Sequence, residues 1–175
     1  LAIRNDSLLA WRWLPNLPER VPDLNNASDG DLFYAWALLK GADRFGEARL
    51  RARATAIARD LALKCIADRP DQPGVQLLLP AEFGFRHEDR LVVNPSYMMP
   101  RALRDVGIAT GQSPLVAAAR SGLDLMRQLS ATRLVPDWIS VSAAGIGPER
   151  GFSFDAGYEA VRVPLFLVWS GEVDH

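Results

Sequence analysis

The sequence predicts a mainly α-helical chain, with helices arranged in pairs and short β-hairpins in the loops between them. Three observations predict this. Apolar residues recur at spacings of three and four over long stretches, the period of one helix face. Pro and Gly cluster between those stretches and punctuate them. The runs that read as strands are only about four residues long and fall between the helical segments.

The elements follow in order. Residues 8–14 place Trp11 and Trp13 in alternation and read as extended, and Pro15, Pro18 and Pro22 then form a loop. A first helix is expected over 29–42. A second is expected over 46–67, with Leu50, Ala54, Ile57, Leu61 and Cys65 inward, and Pro70 and Pro73 ending it. Residues 77–80 and 90–93 read as short strands about a turn at 87–89. A third helix is expected from Asn94 to about 106, closed by Gly107, and a fourth over 114–129. Inward positions of the fourth are Leu115, Ala118, Ala119, Gly122, Leu123 and Met126. Residues 136–141 read as extended, and a fifth helix is expected over 157–169. The helix-loop-helix rhythm recurs without a sequence repeat.

Composition excludes several functions. Lys plus Arg number 20 and Asp plus Glu 21. Phosphate neutralisation needs clustered excess base, so no nucleic-acid partner is expected. No apolar run approaches the roughly 20 residues that span a bilayer. The single Cys65 lies in an apolar helical pattern and reads as a small buried hydrophobe. His87 and His175 have no partner at metal-ligand spacing, which argues against zinc and against Ser/His chemistry, and no cofactor is expected.

Polar residues concentrate in two places. Residues 25–31 read Asn-Asn-Ala-Ser-Asp-Gly-Asp and run directly into an aromatic, apolar helix. Ser28 and Asp31 fit a capping box, Ser followed three residues on by an acid. That leaves Asp29 in surplus beside Gly30, a poor helix former whose presence suggests a close approach to the backbone. At the second place, Glu159 and Arg162 are three apart and can pair on a helix face. Their flanks Tyr158, Val161, Val163 and Leu165 suggest a helix buried on most sides, and a cation beside a carboxylate favours its charged form, which suits a general base. Trp36 and Trp169 read as core. Trp11, Trp13 and Trp138 fall in loops or extended pieces, where indoles can stack on sugar rings. The segment from Gly145 to Gly151 lacks the spacing of a phosphate loop and reads as a turn.

Taken together, these residues resemble glycoside hydrolase family 8, and within it the endo-β-1,4-glucanases that accompany bacterial cellulose synthesis. The resemblance rests on Ala27-Ser28-Asp29-Gly30-Asp31, Ala35, Ala37-Leu38-Leu39 and Phe45, with departures at Tyr34 and Gly41. Trp11-Arg12-Trp13, Asn25-Asn26, Asn94-Pro95-Ser96-Tyr97, Pro136-Asp137-Trp138 and Tyr158-Glu159-Ala160-Val161-Arg162 follow in the same order.

The resemblance implies an (α/α)6 toroid of six helical hairpins. Such a ring needs well over roughly 200 residues at about 11–12 per helix plus loops. Residues 1–175 would then be part of a catalytic domain, a fragment lacking helices at both ends. It implies hydrolysis of internal β-1,4-glucan bonds with inversion. Asp29 matches the acid that binds the reacting sugar and stabilises the charged transition state. Glu159 falls where many members carry an Asp general base, with Arg162 orienting it. Asp31, Tyr97, Trp138, Trp11 and Trp13 are expected as further substrate contacts. The family's general acid, a Glu in an early helix, has no counterpart here. The implied partners are β-1,4-glucan (cellulose) oligosaccharides and the cellulose synthase machinery, the implied state a monomer, and the implied location periplasmic or secreted. The competing readings are a non-catalytic glycan binder and a relative acting on xylan or chitosan.

Overall fold

In the computed structural model, which describes residues 3–172, the chain forms five α-helices with two small sheets set into the connections. The helices are α1 (Ser28–Phe45), α2 (Ala48–Lys64), α3 (Pro100–Thr110), α4 (Ser113–Ser130) and α5 (Arg162–Trp169). The strands are β1 (Ile66–Arg69), β2 (Gln72–Leu78), β3 (Arg90–Val93), β4 (Ile139–Ser142) and β5 (Gly145–Gly147). α1 pairs with α2 and α3 with α4 as antiparallel neighbours, while α1, α3 and α5 pack side by side as one row. The described residues thus hold two helical hairpins, with α5 packed against α3. The mainly helical expectation holds, but a closed ring of six hairpins is not formed by these residues.

Helical period explains α2 and α4. In α2, Ala54, Ile57, Ala58 and Leu61 are buried. In α4 the buried set is Leu115, Ala118, Ala119, Gly122, Leu125, Met126 and Leu129. The α3–α4 connection is tight: Gly111 at φ 71° caps α3, a left-handed position that suits glycine. Gly107 does not close α3 as expected. It lies inside the helix, where an added Cβ would stand 2.7 Å from Val116 and 3.0 Å from the Gln112 carbonyl, so it permits the close approach of α4. The expected start at Asn94 also shifts. Residues Pro95–Tyr97 form one 3-10 turn, and α3 begins afresh with Pro100 in its first turn, where a missing N–H costs nothing.

The expected second helix ends three residues early, because the chain past Cys65 is drawn into β1. β1 pairs antiparallel with β2, Ile66 opposite Leu78. The Leu77-Leu78 segment therefore does not pair with β3. The turn at 87–89 forms, with His87 N–H donating to the Arg90 carbonyl, but β3 takes β4 as its partner, Leu91 opposite Val141, and β4 continues to β5. The Gly145 end of the glycine-rich segment lies in β5, and the rest is a turn.

Two corrections concern α1 and α5. The capping box is not formed: Ala27 is the N-cap, and the Ser28 hydroxyl donates to the Leu79 carbonyl at 2.6 Å. The Pro80 carbonyl accepts the Ser28 N–H, so a neighbouring loop supplies what the cap was expected to supply. α5 begins at Arg162, not near Gly157, so Glu159 lies in a turn before it. Nor is α5 buried on most sides. Tyr158, Val161, Leu165, Val168 and Trp169 are exposed, and part of that surface lines an apolar groove against the end of α4. Trp36 is buried as expected, but Trp169, 5.5 Å from it, is half exposed.

Candidate active site

The three helices of the first row begin at one place. Asp29 is the second residue of α1, the Pro95–Tyr97 turn leads into α3, and Arg162 opens α5. Helix N-termini carry unpaired N–H groups and the positive end of the helix dipole, so their convergence favours negative charge between them.

Arg162 joins the parts. One of its terminal nitrogens donates to Asp29 Oδ2 at 3.0 Å, and the other donates to Ser96 Oγ at 2.9 Å and lies 3.9 Å from Glu159 Oε2. Glu159 Oε2 also accepts a hydrogen bond from the Asn94 amide. Both carboxylates and the guanidinium are partly exposed, with side-chain accessibilities of 17%, 33% and 33% for Asp29, Glu159 and Arg162. The remaining Asp29 oxygen accepts from the Gly30 N–H at 2.8 Å. Gly30 itself faces open space, with no atom within 4 Å of an added Cβ, so the close backbone approach expected there is absent among the described residues.

Aromatic rings continue the cluster. The Arg162 guanidinium lies 5.4 Å from the centre of the Tyr97 ring. Burial pushes the Tyr97 phenol up to about 12, helped by the charges of Asp29 and Glu159 and opposed by Arg162, so the hydroxyl keeps its proton as a hydrogen-bond donor. Tyr97 meets Trp138 at 6.1 Å, and Trp138 in turn touches Phe152 at 4.6 Å and stacks on Phe85 at 5.8 Å.

The loop that carries Glu159 is held by Asp137. Its Oδ1 accepts from the Gly157 N–H at 3.0 Å and from the Ala160 N–H at 2.7 Å. Backbone bonds from Asp137 to Asp155 and from Trp138 to Ser153 close the same loop from the other side. These bonds fix the turn that precedes α5.

Of the residues singled out in the sequence, Asp29, Glu159, Arg162, Tyr97 and Trp138 come together. Asp31 does not join them. It is fully buried, and its oxygens accept from the Leu9 N–H at 2.7 Å and the Asn26 amide at 3.0 Å. Two residues along a helix is a rotation of about 200°, so two acids at that spacing face opposite ways. Trp11 and Trp13 are exposed on the arm before α1. Trp11 is tied to Asp23 and Asn25, and neither indole contacts the Asp29–Arg162 cluster among the described residues. Asn94, Ser96 and Asp137 stood in the motifs of the resemblance but were given no role there. Asn followed by Pro and Ser is a readable turn signal, but nothing in it announces a bond to a residue 65 positions away.

The model of the family glycosyl hydrolases family 8 matches residues 1–175. This chain belongs to that family. Among family 8 relatives, an endoglucanase of Cellulomonas uda is 30% identical over 95% of this chain and 46% of its own length. A probable endoglucanase of Novacetimonas hansenii is 32% identical over 95% of this chain and 49% of its own. The solved family 8 endoglucanase from Klebsiella pneumoniae superposes with a TM-score of 0.85 at 31% identity, covering 93% of this chain and 53% of that one. The chain thus spans about half the length of the family 8 relatives it matches.

Proposed function

We propose that this chain supplies part of the active site of an endo-β-1,4-glucanase, and that it is one sector of an (α/α)6 toroid whose cleft lies at the N-terminal ends of α1, α3 and α5. The observation that carries this reading is the Arg162 guanidinium set between Asp29 and Glu159 at the starts of α1 and α5. In this reading Asp29 holds the reacting sugar and faces the positive charge of the transition state. Glu159 is the base that takes a proton from water, Arg162 fixes both carboxylates, and Tyr97 and Trp138 contact the sugar. The substrate follows from the names of the relatives at similar length of match, which are endoglucanases. Trp11 and Trp13 would serve as outlying stacking surfaces. A polymeric glucan is met outside the cytoplasm, which is the basis for a periplasmic or secreted protein working beside cellulose synthesis.

Cello-oligosaccharides titrated into the chain should change its Trp fluorescence, since Trp138 borders the cluster. Asp29→Ala should abolish that response and leave the circular dichroism unchanged. An unaltered titration curve in the variant would overturn the assignment of Asp29.

Inverting hydrolysis also needs an acid on the opposite face of the bond, roughly 6.5–9.5 Å from the base. The general acid that the family resemblance implies, a Glu in an early helix, has no counterpart among these residues. We therefore expect the 175 residues alone to bind but not cleave. Reducing sugar released from carboxymethylcellulose by the isolated chain would contradict this.

A further inference from the structure

Two polar side chains lie behind the carboxylates, buried at 0% and 1% exposure: Asn94 and Ser96. The orientation of the Asn94 amide is dictated by its neighbours. Both the Ser96 N–H, at 3.0 Å, and the Ser96 hydroxyl, at 2.7 Å, meet Asn94 Oδ1. A backbone N–H can only donate, so that end of the amide is the oxygen. The nitrogen end is thereby turned to Glu159 and donates to its Oε2. The same logic fixes Ser96. Arg162 has no acceptor, so the Ser96 hydroxyl accepts from the guanidinium at 2.9 Å and its one hydrogen goes to Asn94. Among the described residues Glu159 Oε1 has no hydrogen bond to the protein.

We propose that Asn94 is a positioning residue for the base: it holds Oε2 of Glu159 so that Oε1 is the oxygen left to take the proton from water, while Ser96 holds Arg162 in the same frame. This rests on the reading of Glu159 as the base. A Glu arm has one more rotatable bond than an Asp, and freezing it costs entropy that a dedicated donor offsets. Asn94 is also the N-cap of the Pro95–Tyr97 turn. That capping role needs only its oxygen, whereas the tie to Glu159 needs its nitrogen, and the two roles can be separated.

Asn94→Asp keeps the capping oxygen and the shape but sets a second carboxylate against Glu159. It should raise the unfolding equilibrium constant roughly 5–30-fold, a loss of stability. Adding Glu159→Gln should restore most of that loss, because the Gln amide can donate to the new carboxylate. If Asn94 only caps the turn, Asp caps as well, the cost of the single variant is that of burying a charge alone, Glu159→Gln recovers none of it, and the double shows no coupling; that result overturns the proposal. A second readout does not depend on how the variant folds. The Asn94 side-chain amide resonance should shift in Glu159→Gln, where the carboxylate it donates to is gone. A resonance left unmoved by that substitution also overturns it. Failure of the parent chain to bind cello-oligosaccharides would instead refute the glucanase reading and leave the coupling cycle to decide the tie.

Discussion

Asp137→Ala is expected to destabilise the chain by about 2–5 kcal/mol and to weaken its response to cello-oligosaccharides. The magnitude comes from two backbone N–H groups, of Gly157 and Ala160, that would lose one shared carboxylate acceptor, at about 1–3 kcal/mol each. Asp137 is 8% exposed, so water does not readily take its place. The segment it holds, residues 151–161, has no helix or strand of its own. Its geometry depends on these bonds, and Glu159 stands between the two anchored positions. Asp137→Asn retains one acceptor oxygen and should lose less than half as much. Gly157→Ala should act in the same direction from the other side, since a Cβ there runs into the Asp137 carboxylate. Chemical denaturation measures all three. An Asp137→Ala variant within about 0.5 kcal/mol of the parent, the range of ordinary surface changes, would refute the argument.

The second large effect concerns Asp31. Burial pushes its carboxyl up to about 6, against the pull of the Leu9 N–H, the Asn26 amide and Arg4, with Asp6 adding to the rise. Cys65, bonded to Asn26 on the same side, is itself held protonated by burial, so it adds no charge to Asp31. A carboxyl whose folded pKa exceeds its unfolded value of 3.8 favours folding most below that unfolded value. Its contribution is lost as pH rises through about 6, so it should decline by roughly 2 kcal/mol between pH 4 and pH 7. Asp31→Asn removes the titration. It also forces an NH2 group against one of two donors, Leu9 N–H or Asn26 Nδ2. The variant should therefore be less stable than the parent by about 2–4 kcal/mol near pH 5, and the gap should narrow as pH rises from 5 to 7. Comparing the two proteins at each pH cancels the other titrating groups, including Asp6, whose carboxyl is held low by Arg4 and works in the opposite sense. A gap that widens with rising pH would show the sign to be wrong.

Both arguments depend on contacts that the sequence does not display. The bodies of α1, α2 and α4 were readable because burying one face imposes a period on the residues. The strand pairings were not. Leu77-Leu78 and Arg90–Val93 are adjacent in the chain and strand-like, yet each has a more distant or less obvious partner, and partner choice is a tertiary matter. At the site, the meeting of Asp29, Glu159 and Arg162 was readable from the motif residues. Asp29 as the outward acid was also expected, but Asp31 as a further substrate contact was not met, since two residues along a helix point opposite ways and Asp31 turns inward. The start of α5 was placed too early, because residues 157–161 precede it as a turn segment tied to Asp137, 20 residues before Gly157, and that tie is not visible in the local sequence. Asn94 escaped for the same kind of reason: its turn-forming half is local and its other half is not.

The Asp29–Arg162 ion pair joins residues 133 positions apart. α1 with α2, and α3 with α4, are chain neighbours and can condense with little loss of loop entropy. A contact closing so long a span must wait until nearly all of the chain is in place. Refolding should therefore yield helical, compact molecules before it yields the cluster, and signals from Trp138 should settle later than helix content.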